Sequence, residues 1–165
     1  MRASRILILA MLAVLFACPP AGAQTSWTTT LSGASEVPPI STSGSGNFDA
    51  TLSADQTVMT FTLTYQIKGS VAQARIHRGP TGSNGPAIYY LSAGPFASPL
   101  TGQTDPAPAG GAPGFLSADF ADLQAGNLYL NLATTAYPAG EIRGQIVSAV
   151  QASNETWGRI KALFR

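Results

Sequence analysis

The chain has 165 residues, of which 45% are apolar and 10% are charged, and its formal net charge is +1 at pH 7. This length and apolar content predict one domain with a packed core. The sequence contains no cluster of Lys or Arg that could neutralise phosphates, so its composition excludes a nucleic-acid-binding protein.

The first 23 residues have the pattern of a signal peptide. Arg2 and Arg5 form a basic start, an apolar run covers residues 6–17, and residues 21–23 match a small-residue A-x-A cleavage site. The apolar run is shorter than the roughly 20 residues that a membrane span needs. We therefore predict an exported chain, periplasmic or secreted, that is cleaved after Ala23.

Cys18 is the only cysteine, and it offers an alternative mode of processing. Residues 15–18 loosely resemble a bacterial lipobox, in which this cysteine would carry lipid, but the bulky Phe16 fits that motif poorly. Cleavage after Ala23 would remove the thiol, and the mature domain would then fold without a disulfide or a thiolate metal ligand. The lipoprotein is the less favoured of the two interpretations.

Alternating apolar and polar residues predict strands in the first half of the mature chain. The alternation is clearest from Met59 to Ile67, where apolar side chains face one side and Thr and Gln face the other. Pro38 and Pro39 cannot donate to a ladder, so the segment around them should leave the sheet or follow its edge. Further strands are expected at residues 27–31, 48–52, 71–78 and 87–91.

The second half combines a short helix with two strands. Ser117 is a candidate N-cap and Gly126 a candidate C-cap, which predicts a helix at about 118–125. Alternation then predicts strands at 128–133 and 142–146, each with an apolar face and a polar face. A Pro-Ala-Gly turn separates these two strands.

Short strands, frequent turns and the absence of alternating helices predict an all-β fold. We expect an antiparallel β-sandwich, Greek-key-like, with about seven or eight strands. Residues 92–114 lack periodicity and should form a loop that is either a cover or a mobile excursion. The predicted organisation is a signal peptide at 1–23, a β-domain at 24–148 and a tail at 149–165.

The tail has the pattern of a small basic amphipathic helix. It is expected to dock on the domain or lie in solvent, and the alternative is weak contact with a membrane surface through residues 157–165. The apolar residues of its predicted face are Trp157, Ile160, Leu163 and Phe164, and its basic residues are Arg159, Lys161 and Arg165.

Four polar side chains form the candidate binding site. Arg75 and His77 project from the polar face of one predicted strand, and Glu141 and Arg143 project from the polar face of another. If these strands are neighbours, an ion pair from Glu141 to Arg75 or His77 would stabilise the sheet by roughly 0.2 to 1 kcal/mol and need no functional explanation. The alternative is that all four residues form a polar ligand-binding patch.

The sequence offers little for catalysis, and no catalytic residue is assigned. It contains no G-x-S-x-G motif, and His77 has no identifiable orienting group. Asp119, Asp122 and Glu141 could supply a carboxylate pair, but the helix dipole explains the two aspartates better. We predict that the protein is not an enzyme.

Four segments of the chain stand out as motifs. They are L-S-G-A-S-E-V-P-P at 31–39, I-H-R-G-P at 76–80 with Gly82, Asn84, Gly85 and Pro86, A-G-N-L-Y at 125–129, and G-E-I-R-G-Q at 140–145. In this order they resemble the motifs of the CHRD domain, named from chordin, and they cover about residues 31–147. The resemblance implies an extracytoplasmic β-sandwich, with an architecture similar to that of copper-zinc superoxide dismutases but without their activity.

The chain departs from the family where a copper site would be expected. Many family members carry two further histidines, and Arg75 and Ala133 stand at those positions here. A transition metal usually needs three or four converging ligands, so His77 alone predicts no metal and no cofactor.

These observations favour an exported, non-catalytic module that binds or assembles with an unidentified extracytoplasmic protein or small ligand. The alternative is a copper-handling protein with a reduced, single-histidine site, in which His77 acts with carboxylates or with the mature N-terminus.

Overall fold

The computed structural model describes residues 25–55, 57–105 and 114–149. The predicted signal peptide, Cys18 and the predicted amphipathic helix with its membrane-contact segment 157–165 lie outside these residues. Within the described part of the chain, none of the helical structure has the length and apolar character needed to cross a bilayer.

The described residues form nine strands and one α-helix, which confirms the predicted all-β class with one short helix. The strand bounds follow the predicted alternation closely, and a single 3-10 turn at Gly33–Ser35 follows the first strand. The elements are β1 (Ser26–Ser32), β2 (Ser45–Leu52), β3 (Met59–Gln66), β4 (Val71–Arg78), β5 (Ala87–Ser92), β6 (Leu100–Gln103), α1 (Ser117–Gln124), β7 (Leu128–Thr134), β8 (Ile142–Gln145) and β9 (Val147–Ser148).

All strand pairs are antiparallel, and eight strands follow one another in the order β5-β4-β7-β8-β1-β2-β3-β6, with β9 beside β1. The strand β7 therefore lies between β4 and β8. Its Asn131 pairs with Arg75 of β4 on one side and with Arg143 of β8 on the other. Tyr129 pairs in the same way with His77 and Gln145.

The sheet curls around one apolar core, which makes the fold sandwich-like and nearly a closed barrel. The two end strands of the sheet, β5 and β6, contribute Tyr89 and Leu100 to this core. Near them, the Asp105 N–H donates to the Tyr89 hydroxyl at 3.1 Å. The core also includes Trp27, Phe48, Met59, Leu63, Ile76, Phe120, Leu123, Leu128, Leu130, Leu132, Ile142 and Ile146.

The strand β6 corrects the prediction that residues 92–114 are only a loop. It pairs with β3 through Leu100 opposite Leu63 and Gly102 opposite Phe61. Only Leu100 of its four residues is partly buried, so this edge strand lacks the alternation by which strands are recognised in a sequence.

The helix α1 is tied to the end of β4 by two ion pairs. Arg78 binds Asp119 at 2.5 Å and Asp122 at 2.6 Å. The expected N-cap, Ser117, is already inside the helix, and the Asp119 carboxylate accepts the Leu116 N–H at 2.7 Å instead. Both aspartates therefore join the helix to the sheet, and only Asp119, in the first turn, also suits the helix dipole.

Candidate functional site

The outer face of β4, β7 and β8 is covered by two loops. We call it the covered face, and the loops are residues 33–44 and residues 79–86. Every residue of β7 is buried, whereas β3 alternates between buried and exposed residues over most of its length. The polar side of these strands, expected to face solvent, is thus largely enclosed: Glu141 is 3% exposed and Arg143 is 2% exposed.

Arg143 holds the 79–86 loop against the sheet. Its guanidinium donates to the Asn84 side-chain oxygen at 3.0 Å and to the Ser83 carbonyl at 2.7 Å. The central guanidinium carbon lies 3.4 Å from the centre of the Tyr129 ring, which is a cation–π contact. A buried charge is tolerated here because loop oxygens and an aromatic face surround it.

The two covering loops are also joined to each other and to β8. The Asn84 amide donates to the Val37 carbonyl at 2.7 Å, so Asn84 links the 33–44 loop to Arg143. The Gln145 amide donates to the carbonyls of Gly79 and Gly126, at 3.1 and 2.7 Å. The cover is therefore fixed by specific hydrogen bonds.

The proposed ion pair from Glu141 to Arg75 or His77 is wrong. Glu141 accepts hydrogen bonds from the hydroxyls of Thr42 at 2.7 Å and Thr134 at 2.8 Å. The strands β4 and β8 are not neighbours, because β7 lies between them. Arg75 reaches in another direction and donates to the Pro138 carbonyl at 3.2 Å.

His77 is half-buried, and its ring stacks on Tyr129 with 4.9 Å between ring centres. Nδ1 lies 2.9 Å from the Gly85 carbonyl, which can only accept, so Nδ1 carries a proton. Burial lowers the pKa of His77 despite this bond, and the charges of Arg75 and Arg143 lower it further. In the neutral ring Nε2 is an acceptor, and it is buried without a partner among the described residues.

Glu36 enters the covered face from the 33–44 loop and is 7% exposed. The Asn131 amide donates to both of its carboxylate oxygens at 3.3 Å. Burial raises the pKa of Glu36 to about 7, although the positive charge of Arg143 opposes the shift. Sequence reasoning assigned Glu36 no role, and its place in the L-S-G-x-x-E-V-P-P motif was the only indication that could have found it.

A cavity of about 360 Å³ opens between the two loops and the sheet. We call it the loop cavity. Among its lining residues, Asn131 is 5% exposed and has a buried Oδ1 that no described residue bonds. Gly140, with φ +146, lies against this side chain, and a Cβ there would be only 2.3 Å from Asn131 Nδ2. The lining residues are Glu36, Val37, Pro38, Ile40, His77, Asn84, Gly85, Tyr129, Asn131, Ala139 and Gly140.

Three of the four candidate residues surround one column of the covered face, and the fourth, Glu141, is bonded to Thr42 and Thr134 instead. Arg75, His77 and Arg143 surround the column of Tyr129 and Asn131, but only His77 lines the loop cavity. Among residues 25–55, 57–105 and 114–149, no group of three or more His, Cys, Asp or Glu side chains is placed to hold a metal ion.

The chain was compared with known proteins and protein families. Neither the curated proteins nor the solved structures contain a significant match to this chain. The family model of the CHRD domain, by contrast, matches residues 27–146, which include every strand that lines the covered face. The chain therefore belongs to the CHRD family, and its domain is a β-rich module of the extracellular type.

Proposed function

We propose that the protein is an exported, non-catalytic binding module, and that the loop cavity takes up a small ligand or an exposed group of an extracytoplasmic partner. The observation that carries the proposal is the pair of buried acceptors, His77 Nε2 and Asn131 Oδ1, that belong to lining residues of one cavity and have no partner among the described residues.

Leaving such buried atoms without a hydrogen bond costs free energy of folding. A buried polar atom without a hydrogen bond costs about 1 to 3 kcal/mol, and nearly all of them are satisfied in native proteins. A volume of about 360 Å³ falls in the usual range for ligand pockets, roughly 300 to 1,000 Å³. An occupant with hydrogen-bond donors would satisfy both atoms.

The origin of the lining residues supports the same function. Glu36 comes from the first of the four motifs, His77 and Asn84 from the second, and Tyr129 from the third. Arg143, from the fourth motif, fixes the loop that closes the cavity. Segments far apart in the chain therefore combine to build one site.

The surroundings of His77 support a role in binding rather than catalysis. Its Nδ1–H donates a hydrogen bond to the Gly85 carbonyl, and its ring packs on Tyr129. Within the described residues neither a serine nor a threonine hydroxyl bonds to this imidazole, so no hydroxyl nucleophile among them is paired with it. Glu141 is engaged by two threonines.

The copper-handling alternative has less support. His77 Nε2 and the Glu36 carboxylate share the loop cavity, but the described residues provide no third His, Cys, Asp or Glu ligand. A Cu(II) titration checks it. Binding that is lost in His77→Ala would favour this alternative, and binding that His77→Ala leaves intact would remove it.

The experiment for the binding function is a screen of neutral, cationic and anionic fragments against the ¹⁵N-labelled protein. We expect hits to shift the amide resonances of Gly85 and Gly140, and to be lost in Ala139→Leu, which fills the cavity from its exposed rim. Thr62→Val, on an exposed strand face away from the loops, is the matched control and should keep every hit. No hits, or hits that survive Ala139→Leu, would overturn the proposal.

The export part of the proposal has its own measurement. Mass spectrometry of the processed chain should give an N-terminus at Gln24. A fatty-acylated Cys18 would show a lipoprotein, and an intact N-terminus would show that residues 1–23 are retained.

A further inference from the structure

We propose that the ligand of the loop cavity is a neutral polyhydroxylated molecule of about the size of a monosaccharide. This inference rests on the proposed function and deepens it, because it names the chemical class of the occupant. It is carried by the kind of polar atoms that the cavity offers and by the charges around them.

The buried side-chain atoms of the lining residues that have no partner among the described residues are acceptors. His77 Nε2 is an acceptor because Nδ1 holds the ring proton, and Asn131 Oδ1 is an acceptor by its chemistry. The Glu36 carboxylate receives only two long bonds of 3.3 Å, both from one amide, and has lone pairs to spare. An occupant must therefore bring two or three hydrogen-bond donors within a small volume, as neighbouring hydroxyl groups do.

The surrounding charges favour a neutral donor. A cation would lie close to the positive charge of Arg143, which acts on both Glu36 and His77, and to that of Arg75, which acts on His77. Glu36 is a weak counter-charge, because burial raises its pKa to about 7 and leaves it partly protonated at neutral pH. These positive charges would attract an anion, but an anion brings no donor to the unpaired acceptor atoms and would leave them unsatisfied.

The remaining lining of the cavity suits the carbon skeleton of such a ligand. Val37, Pro38, Ile40 and Ala139 present apolar surface beside the polar atoms. A pyranose has this combination of C–H surface and ring hydroxyls, and about 360 Å³ is enough to hold one with bound water. A fully apolar ligand would leave the acceptors unsatisfied.

The test uses sugars that share one ring and differ in charge. Glucose, galactose, mannose and N-acetylglucosamine are titrated into the purified domain, and glucosamine and glucuronate serve as the cationic and anionic counterparts. Binding is followed by the ¹⁵N resonance of His77 Nε2 and by calorimetry. We expect at least one neutral sugar to bind and to shift this resonance, and the charged counterparts to bind at least about tenfold more weakly.

Two variants locate the binding. His77→Phe keeps an aromatic ring beside Tyr129 but removes Nε2, and Ala139→Leu occupies the cavity without touching the polar groups. Both should lower the affinity for the neutral sugar at least about tenfold, while Thr62→Val leaves it unchanged. Near-ultraviolet circular dichroism shows that each variant is folded.

The inference is overturned if no neutral sugar binds, if a charged counterpart binds as tightly, or if both cavity variants bind normally. Its failure can be told from failure of the proposed function. Fragments of another class that occupy the cavity would leave the binding module in place and change only the ligand class, whereas an absence of any occupant would remove both.

Discussion

Two regions on the outer side of the same sheet are built from the same kind of alternating sequence but have opposite environments. On the outer side of β1, β2 and β3, which we call the open face, polar residues such as Asn47, Thr60, Thr62 and Thr64 are exposed. On the covered face the corresponding positions of β7 and β8 are buried. The alternation decides which side of the sheet a residue faces, and the loops decide whether that side meets water.

The chemistry of the two faces follows from this difference. On the open face, water can satisfy every hydroxyl, and pairs such as Thr28 with Asp49 at 2.9 Å are optional. On the covered face, the charges of Arg143 and Glu141 depend on protein partners. A polar substitution should therefore cost little on the first face and much on the second.

The largest effect is expected for Arg143→Ala. The substitution removes three charge-assisted hydrogen bonds to the 79–86 loop, of which that to the Pro80 carbonyl is long at 3.5 Å, and the contact with Tyr129. It leaves the Asn84 and Ser83 oxygens unpaired. We expect a loss of about 3 to 5 kcal/mol in the free energy of unfolding, measured by urea denaturation. Arg143→Lys should restore less than half of it, because Lys lacks the planar fork.

A loss below about 1 kcal/mol for Arg143→Ala would contradict the view that the cover is part of the fold, since exposed side chains give values of that size. The amide resonances of the 79–86 loop provide a second readout. They should change in the alanine variant and stay as they are in Thr62→Val.

The next effect depends on pH and concerns Glu36. Its pKa is about 7 in the folded chain against an ordinary value of 4.5, so the folded state binds the proton more tightly than the unfolded state. The stabilisation by protonated Glu36 is complete below about pH 4.5 and is lost as the pH rises through about 7. Arg143 and Asn131 are the charged and polar groups that face it.

Glu36→Gln isolates this titration, because Gln is neutral at every pH and can still accept the Asn131 amide. At pH 5 the variant and the unmodified protein should have similar stability. At pH 8 the variant should be more stable by about 2 to 3 kcal/mol, since one pKa unit corresponds to about 1.4 kcal/mol. A difference that does not change with pH would show that Glu36 titrates normally, and a difference of the opposite sign would show that folding lowers its pKa; either result contradicts the prediction.

The comparison of the faces also shows how far the sequence could predict the structure. The strand β3 was predicted well because its alternation reflects a real difference between core and solvent. In β7, the inward position of Leu128, Leu130 and Leu132 was predicted correctly, and the outward direction of Tyr129 and Asn131 was also correct. The burial of these last two was not foreseen.

The missing information lies far away in the chain. Asn131 is buried by Glu36, a partner 95 positions earlier, and Arg143 by residues about 60 positions earlier. Periodicity is a local property and carries no record of such contacts. Of the residues around the candidate site, Arg75, His77 and Arg143 were named from the sequence, while Glu36 and Asn131 became visible only in three dimensions.

The two smallest effects use one substitution at a buried position and at an exposed one. Thr134→Val, at the buried end of β7, removes the hydroxyl that donates to Glu141 at 2.8 Å and accepts the Tyr137 N–H at 3.1 Å. The shape and the β-branch are retained, so the change isolates the hydrogen bonds. We expect a loss of about 1.5 kcal/mol in the free energy of unfolding. A neutral result would mean that water replaces the hydroxyl at this buried position.

Thr62→Val on the open face should change the free energy of unfolding by less than about 0.5 kcal/mol. The hydroxyl is exposed, so its removal breaks no buried hydrogen bond. Thr62 is exposed in the middle of β3, opposite Asp49 and Thr101, so it tests the most regular part of this face. Val has a similar β-propensity, which keeps the backbone term small. A loss above about 1 kcal/mol would show that the open face is also covered in solution, and the contrast between the two faces would then fail.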